Sequence, residues 1–215
     1  MASPEQPEPK PDRQTALAQY ARRAAVYDIE LALFEPIRRR AVARLGLRPG
    51  QRVLDVGCGT GLSLALLRAG VGPGGRIVGI EQCPQMLDVA RRRVAEHRWR
   101  NVALMCVPVE AAGLSSKSDA ALFHFTHDIL RNRQALDKIM KRLKPGSRVV
   151  AAGLKWAPWW AVPANLFVLP AALHSVSSLE GLDAPWSRLA ELTGPLEFDT
   201  LLGGGVYIAS GTVAG

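Results

Sequence analysis

Between Val53 and Ser63 an apolar run, VLDV, gives way to glycines at positions 57, 59 and 61. A strand-forming run that meets alternating glycines reads as a buried strand turning sharply into a helix, here LSLALLRAG ending at Gly70. That turn constrains everything after it. A strand that feeds a helix through a tight turn opens a β-α-β unit, which closes with parallel strands and right-handed crossovers. The chain repeats the alternation with strand RIVGIE, helix PQMLDVARRRVAEH, strands VALMCVP and SDAALFHFT, helix NRQALDKIMKRL and strand SRVVAAGLK. Pro84 falls in the first turn of its helix, where a missing N–H costs little. The tripeptide KPG (144–146) reads as a stop before the last of these strands. The ending, LEFDTLLGGGVYIASGTV, reads as two strands around a Gly203–Gly205 turn, an antiparallel hairpin. The expected class is α/β, a doubly wound and mostly parallel sheet with helices on both faces.

Two flanking segments depart from the alternation. Over residues 14–45, Leu17, Tyr20, Ala24, Tyr27, Leu31 and Phe34 recur at steps of three and four, the stripe of a helix. Pro36 should break or kink it, so two helices meet there. Residues 1–13 hold four prolines and no apolar core, and read as a disordered tail rather than a signal peptide. The segment 155–176 is nearly uncharged and holds three Trp, but Pro158, Pro163 and Pro170 argue against a membrane span and for broken turns and short helices. The expected organisation is one domain over 14–215, with a helical cover at 14–45 and an apolar insertion at 156–190.

With 215 residues, 48% hydrophobic and 21% charged, the chain suits a single soluble domain. Cys58, Cys83 and Cys106 are widely spaced and no histidines cluster, which points away from a metal or disulfide framework and toward a reducing compartment, the cytoplasm. The net charge of +8 is uneven: nine Arg face three acids over 13–52, and one Arg faces five acids over 156–215. A basic front half suits anionic lipid, nucleic acid or an acidic substrate, or is simply a solvated surface.

The glycine turn is built to approach a ligand. In open α/β sheets ligands bind beyond the carboxyl ends of the strands. The spacing is D-x-G-x-G-x-G, and Leu62 stands where a dinucleotide loop needs its last glycine. No GK[ST] follows, so a P-loop is excluded. Glu81 ends the next strand, placed to accept both hydroxyls of a ribose.

These residues resemble the class I S-adenosylmethionine-dependent methyltransferases, whose first motif VLDVGCGTG matches at every position and whose second is matched by IVGIEQCPQML. The resemblance spans about residues 40–155 and implies a Rossmann-like fold with S-adenosyl-L-methionine as cofactor. It implies that Asp55, Gly57, Cys58, Gly59, Thr60 and Gly61 wrap the methionine portion, with Glu81 on the ribose and Gln82 and Met86 beside it. The third-strand position reads CVPVEAAGL, so Pro108 replaces the usual acid and Val109 and Glu110 remain for the adenine. Tyr27 and Asp28, with the LFEPIRRR helix, look like the cover of small-molecule and lipid methyltransferases, nearest those acting on quinone precursors and phosphatidylethanolamine.

Methyl transfer from a sulfonium needs alignment and a dry site, and a phenol or acidic carbon gains from a base. The fourth strand ends in LFHFTHDIL, making His124 and His127 the catalytic candidates, with His124 also near the cofactor. The [DNS]PP[YFW] motif and an appended binding module are both missing, which argues against a nucleic-acid substrate. The Trp-rich segment and the first helix point to a small apolar or amphiphilic acceptor. Two alternatives stand beside this: a phospholipid or quinone-precursor methyltransferase at an anionic membrane surface, with Arg22, Arg23 and Arg38 to Arg40 meeting head groups, and a non-catalytic cofactor-binding partner. The sequence leaves oligomeric state open.

Overall fold

The computed structural model describes residues 34–175 and 179–214. The 1–13 tail and most of the 14–35 helix, with Tyr27, Arg22 and Arg23, lie outside the described residues. The first described helix, α1 (Glu35–Arg44), has Pro36 in its opening turn, where proline's fixed φ favours a start. Then come β1 (Arg52–Val56), α2 (Leu64–Val71), β2 (Arg76–Glu81), α3 (Pro84–Glu96), β3 (Val102–Cys106) and β4 (Ser118–His124). The chain continues through α4 (His127–Arg131), α5 (Arg133–Met140), β5 (Leu143–Leu154), α6 (Val162–Ser175), α7 (Ser187–Thr193), β6 (Glu197–Leu201) and β7 (Val206–Thr212).

The strands form one seven-stranded sheet in the order β3-β2-β1-β4-β5-β7-β6. β1 pairs in parallel with both β2 and β4, while β7 runs antiparallel between β5 and β6. The doubly wound α/β fold with its closing hairpin is the one the alternation dictates. Strand order reverses between β1 and β4, which opens the ligand crevice at their carboxyl ends. Alternate residues feed two cores. Val53, Ile77, Leu122 and Val150 pack on one face, and Leu54, Val56, Ile80 and Phe123 on the other. A central parallel strand is apolar on both faces because helices cover both.

Three elements differ from the sequence expectation. KPG does not precede β5 but lies within it: Ser118 pairs with Leu143, the register shifts, and Ala120 pairs with Arg148. Gly146 takes φ +77° there and its N–H donates to the Val213 carbonyl, so pairing resumes on both sides of the irregularity. The helix expected over 132–143 is shorter and preceded by a separate turn, α4. Asn132 separates the two, its side-chain oxygen accepting from Ala135 N at 3.2 Å as an N-cap. The proline-rich insertion is not a set of short pieces, since α6 runs 14 residues with Pro170 inside it. Pro163 sits in its first turn, where no N–H is missed, and Pro170 removes one bond without ending the helix. Among the described residues, no helix is long and apolar enough to cross a membrane.

Candidate active site

Asp55 is the one acid of β1, and it is 2% exposed. Burying an ionised carboxylate costs several kcal/mol unless a partner compensates. Here Oδ2 has no hydrogen-bond partner among the described residues. Burial above all, helped by the nearby Glu81, raises its pKa to about 7 against the pull of the Arg38 cation. The sheet therefore holds an acid that waits for a cation.

Arg38 is its counterpart. It lies on the buried face of α1 with Ile37 and Ala41, only 2% exposed. One arm pairs with Glu35, while Nη2 is buried without a partner among the described residues. This overturns its expected role at a lipid surface, because the helix phase that buries Ile37 and Ala41 turns Arg38 inward too. Arg39 and Arg40 are engaged as well, Arg39 with Glu35 at 3.0 Å and Arg40 with Asp199 at 3.2 Å. Arg44 and Arg148 extend that network to Asp199 and Glu197 of β6, so basic groups of the front half meet acids of the tail. Sequence reasoning misses Arg38 as a site residue, although an arginine four residues after Phe34 on an apolar stripe is a legible signal.

Glu81 ends β2 with both oxygens fixed: Oε2 accepts from Gly59 N at 3.1 Å and Oε1 from Cys83 N at 2.7 Å. Burial raises its pKa, opposed by those backbone N–H groups. The glycine turn curls around it. Gly57, Gly59 and Gly61 all take positive φ, and a side chain on Gly57 would stand 2.5 Å from Thr126 Cγ2. Cys58 is buried against Leu87, Ala90 and Leu104, and burial above all, with Asp55 and Glu81 nearby, pushes its thiol pKa up. Thr60 is buried and its carbonyl accepts from Arg93 Nε. Met86 is buried in the first turn of α3 and Gln82 is half-buried before it. Val109 is buried in a short 3-10 turn with Glu110 half-buried beside it, and Val107 N ties the preceding loop to the Glu81 carbonyl.

On the other side of the crevice, β4 ends at His124. Its Nε2 is buried without a partner among the described residues, and burial together with the Arg38 cation pushes its pKa down to about 3. The imidazole is neutral at any physiological pH. Phe125, next in sequence, takes φ +57°, a left-handed conformation that costs a non-glycine residue roughly 1–2 kcal/mol. Its ring lies 4.9 Å from that of Phe34, bringing the start of α1 over the end of β4. Thr126 Oγ1 is again buried and unpartnered among the described residues. His127 donates from Nε2 to the Glu180 carbonyl at 2.9 Å, and Arg131 pairs with the Glu180 carboxylate at 2.6 Å. Most of the buried polar atoms without a partner among the described residues thus lie at one edge, with Ser118 Oγ at the far end of β4 the exception.

The family profile described as a methyltransferase domain matches residues 53–146, the span that carries Asp55, Glu81, His124 and His127. Over residues 53–146 the chain is thus similar to methyltransferase domains. Aklanonic acid methyltransferase DauC of Streptomyces sp. (strain C5) is 35% identical over 96 residues, 44% of each chain. Demethylmenaquinone methyltransferase of Symbiobacterium thermophilum is 32% identical over 127 residues, covering 54% of this chain and 48% of that one. The chain spans about half the length of such curated relatives. The seven-stranded fold is shared with N-methyltransferase NodS of Bradyrhizobium japonicum in complex with S-adenosyl-L-homocysteine, at TM-score 0.65, 18% identity, and 92% and 98% coverage.

Proposed function

We propose that this chain transfers the methyl group of S-adenosylmethionine to a small apolar or amphiphilic acceptor. One observation carries the reading. Asp55 Oδ2 and Arg38 Nη2 are buried acid and base atoms, each lacking a partner among the described residues, at the carboxyl edge where Glu81 is held by backbone N–H groups. A ligand end bearing both an ammonium and a carboxylate satisfies both, and a ribose suits Glu81. S-adenosylmethionine has these groups. Asp55 would hold the ammonium, Arg38 the carboxylate and Glu81 the ribose, with Gly57 to Gly61 giving close backbone approach and Met86, Val109 and Glu110 near the base. Bound there, the cofactor supplies an electrophilic methyl on a sulfonium, whose carbon–sulfur pair stays on sulfur.

Relatives named for aklanonic acid and demethylmenaquinone support a small-molecule acceptor. His124, neutral and desolvated, suits orienting the acceptor rather than carrying positive charge. A membrane-surface version is favoured by Trp159 at 88% and Trp160 at 68% exposure ahead of the uncharged α6. The test is incubation with donor labelled in its methyl group and a panel of phenols, quinols and vesicle-borne lipids. Label in a small extractable product is expected. Cofactor binding with no transfer to any acceptor would favour a non-catalytic partner protein instead.

A further inference from the structure

Arg38 reaches toward Asp55 and His124 from the buried face of α1, so the pose of α1 decides where its guanidinium stands. Ile37, Ala41, Val42 and Leu45 hold that face against the sheet. Apolar packing is non-directional, and it sets the angle of a helix about its own axis less sharply than hydrogen bonds do. A roll of about 20° carries a side-chain head about 2 Å around a helix of ordinary girth, enough to lose a hydrogen bond. Directional contacts are needed to fix the angle.

The closing hairpin supplies them. Arg40 and Arg44 lie one turn apart on α1, and both converge on Asp199 of β6, 159 residues from Arg40 in sequence. Arg40 Nε donates to Oδ2 at 3.2 Å, Arg44 Nε to the same oxygen at 3.0 Å, and Arg44 Nη2 to Oδ1 at 2.7 Å. The Arg44 pair is a two-pronged fork, the strong form of this contact. The Asp199 side chain is only 13% exposed, which limits screening by salt. Arg148 of β5 adds a third arm: Nε donates to the Arg44 carbonyl at the end of α1, and Nη2 donates to Glu197 at 2.6 Å. An isolated surface ion pair contributes little, but a forked pair inside a network fixes geometry.

We infer that Asp199 is a positioning residue for the cofactor: by holding Arg40 and Arg44 it sets the angle of α1 and keeps Arg38 Nη2 where it meets the ligand's carboxylate. This rests on the assignment of Arg38 to that carboxylate. Asp199 lies on the edge strand of the sheet and acts only through α1. Its effect is confined to the amino-acid end of the ligand. The ribose end belongs to Glu81 and the glycine turn, whose mutual bonds involve no atom of α1. The last strands of the chain thus tune a site whose motif stands near its start.

The test is titration calorimetry of the full chain with S-adenosylhomocysteine and with methylthioadenosine, which keeps the nucleoside and the sulfur but lacks the amino-acid end. Asp199→Asn should weaken S-adenosylhomocysteine about fivefold and leave methylthioadenosine within about twofold of the unaltered chain. Arg44→Gln breaks the same fork from the α1 side and should repeat that split. Asp199→Glu keeps the charge and should bind S-adenosylhomocysteine more tightly than Asp199→Asn does. In an Arg38→Ala background Asp199→Asn should change neither affinity, because the group it positions is gone. A loss shared equally by both ligands, or a loss that persists in full without Arg38, would overturn the inference. So would full affinity for S-adenosylhomocysteine in folded Asp199→Asn and Arg44→Gln, which leaves the donor site itself standing. Failure of the unaltered chain to bind either compound would overturn the donor-site reading and the inference with it.

Discussion

The two halves of the sheet's carboxyl edge are built on different principles. On the β1–β2 side the ligand groups are backbone amides and two carboxylates within 27 residues, Asp55 to Glu81, and Glu81 is locked by Gly59 N and Cys83 N. On the β4–β5–β7 side the groups are side chains from residues 124–127, 182 and 207, some unsatisfied and one, Phe125, at a strained φ. Their electrostatics are opposed as well. Burial raises the acids Asp55 and Glu81 and lowers the bases His124 and His127. The first half is a local structure that any chain with this motif must form. The second is assembled by tertiary packing, which is where a common donor site can be joined to a particular acceptor.

The largest effect should come from the first half. Gly57→Val puts a branched side chain at a positive-φ position, where its Cβ would stand 2.5 Å from Thr126 Cγ2. It should abolish cofactor binding by calorimetry and cost about 1–3 kcal/mol of stability in a denaturant titration. Glu81→Ala comes next. It removes a carboxylate that orders the glycine turn, and should weaken cofactor affinity roughly tenfold or more, the worth of about 1.5–3 kcal/mol for charge-assisted bonds. Unchanged affinity in a folded variant would move the ribose site elsewhere and erase the contrast.

The opposed electrostatics give a sharper test in the cofactor-free protein. Asp55 has a folded pKa of about 7, above its ordinary 3.8, so its contribution to stability is full below about pH 3.8 and fades as pH rises to 7. His124 has a folded pKa of about 3, below 6.5, so its contribution is full above about pH 6.5 and fades on acidification. Between about pH 4 and 6.5, Asp55→Asn should make stability rise more steeply with pH, and His124→Gln should make it rise less steeply. Each full proton is worth about 1.4 kcal/mol per pH unit. Denaturant midpoints measured across that range decide it; slopes that shift the same way in both variants would contradict the assignment. The smallest effect should come from the exposed Trp159→Ala/Trp160→Ala pair, whose stability should stay within about 0.5 kcal/mol of the parent. Vesicle co-sedimentation of the same pair separates the membrane-surface acceptor from a soluble one.

The contrast also explains what could be read from the residues alone. Asp55, the three glycines and Glu81 declare themselves because a strand, a turn and a strand end come one after another in sequence, and the geometry needs no distant help. Strand alternation likewise gives the β1–β5 order of elements, since a strand buried on both faces leaves few other patterns. KPG misleads because proline and glycine mark a turn equally well when the chain bulges within a strand. Pro170 misleads because a helix can lose one bond and continue. Arg38 comes near Asp55 only when α1 docks over β4, and Tyr207 reaches the end of β4 only when β7 inserts beside β5. Neither is near the glycine turn in sequence. Tertiary packing decides them.

The β1–β2 half should hold a methyl donor and not a dinucleotide. Titration calorimetry of the full chain with S-adenosylmethionine, S-adenosylhomocysteine and NAD tests this most directly. Saturable binding of both sulfur compounds is expected, lost in Gly57→Val and weakened in Glu81→Ala, with no heat from NAD. Saturable NAD binding with no response to either sulfur compound would contradict it.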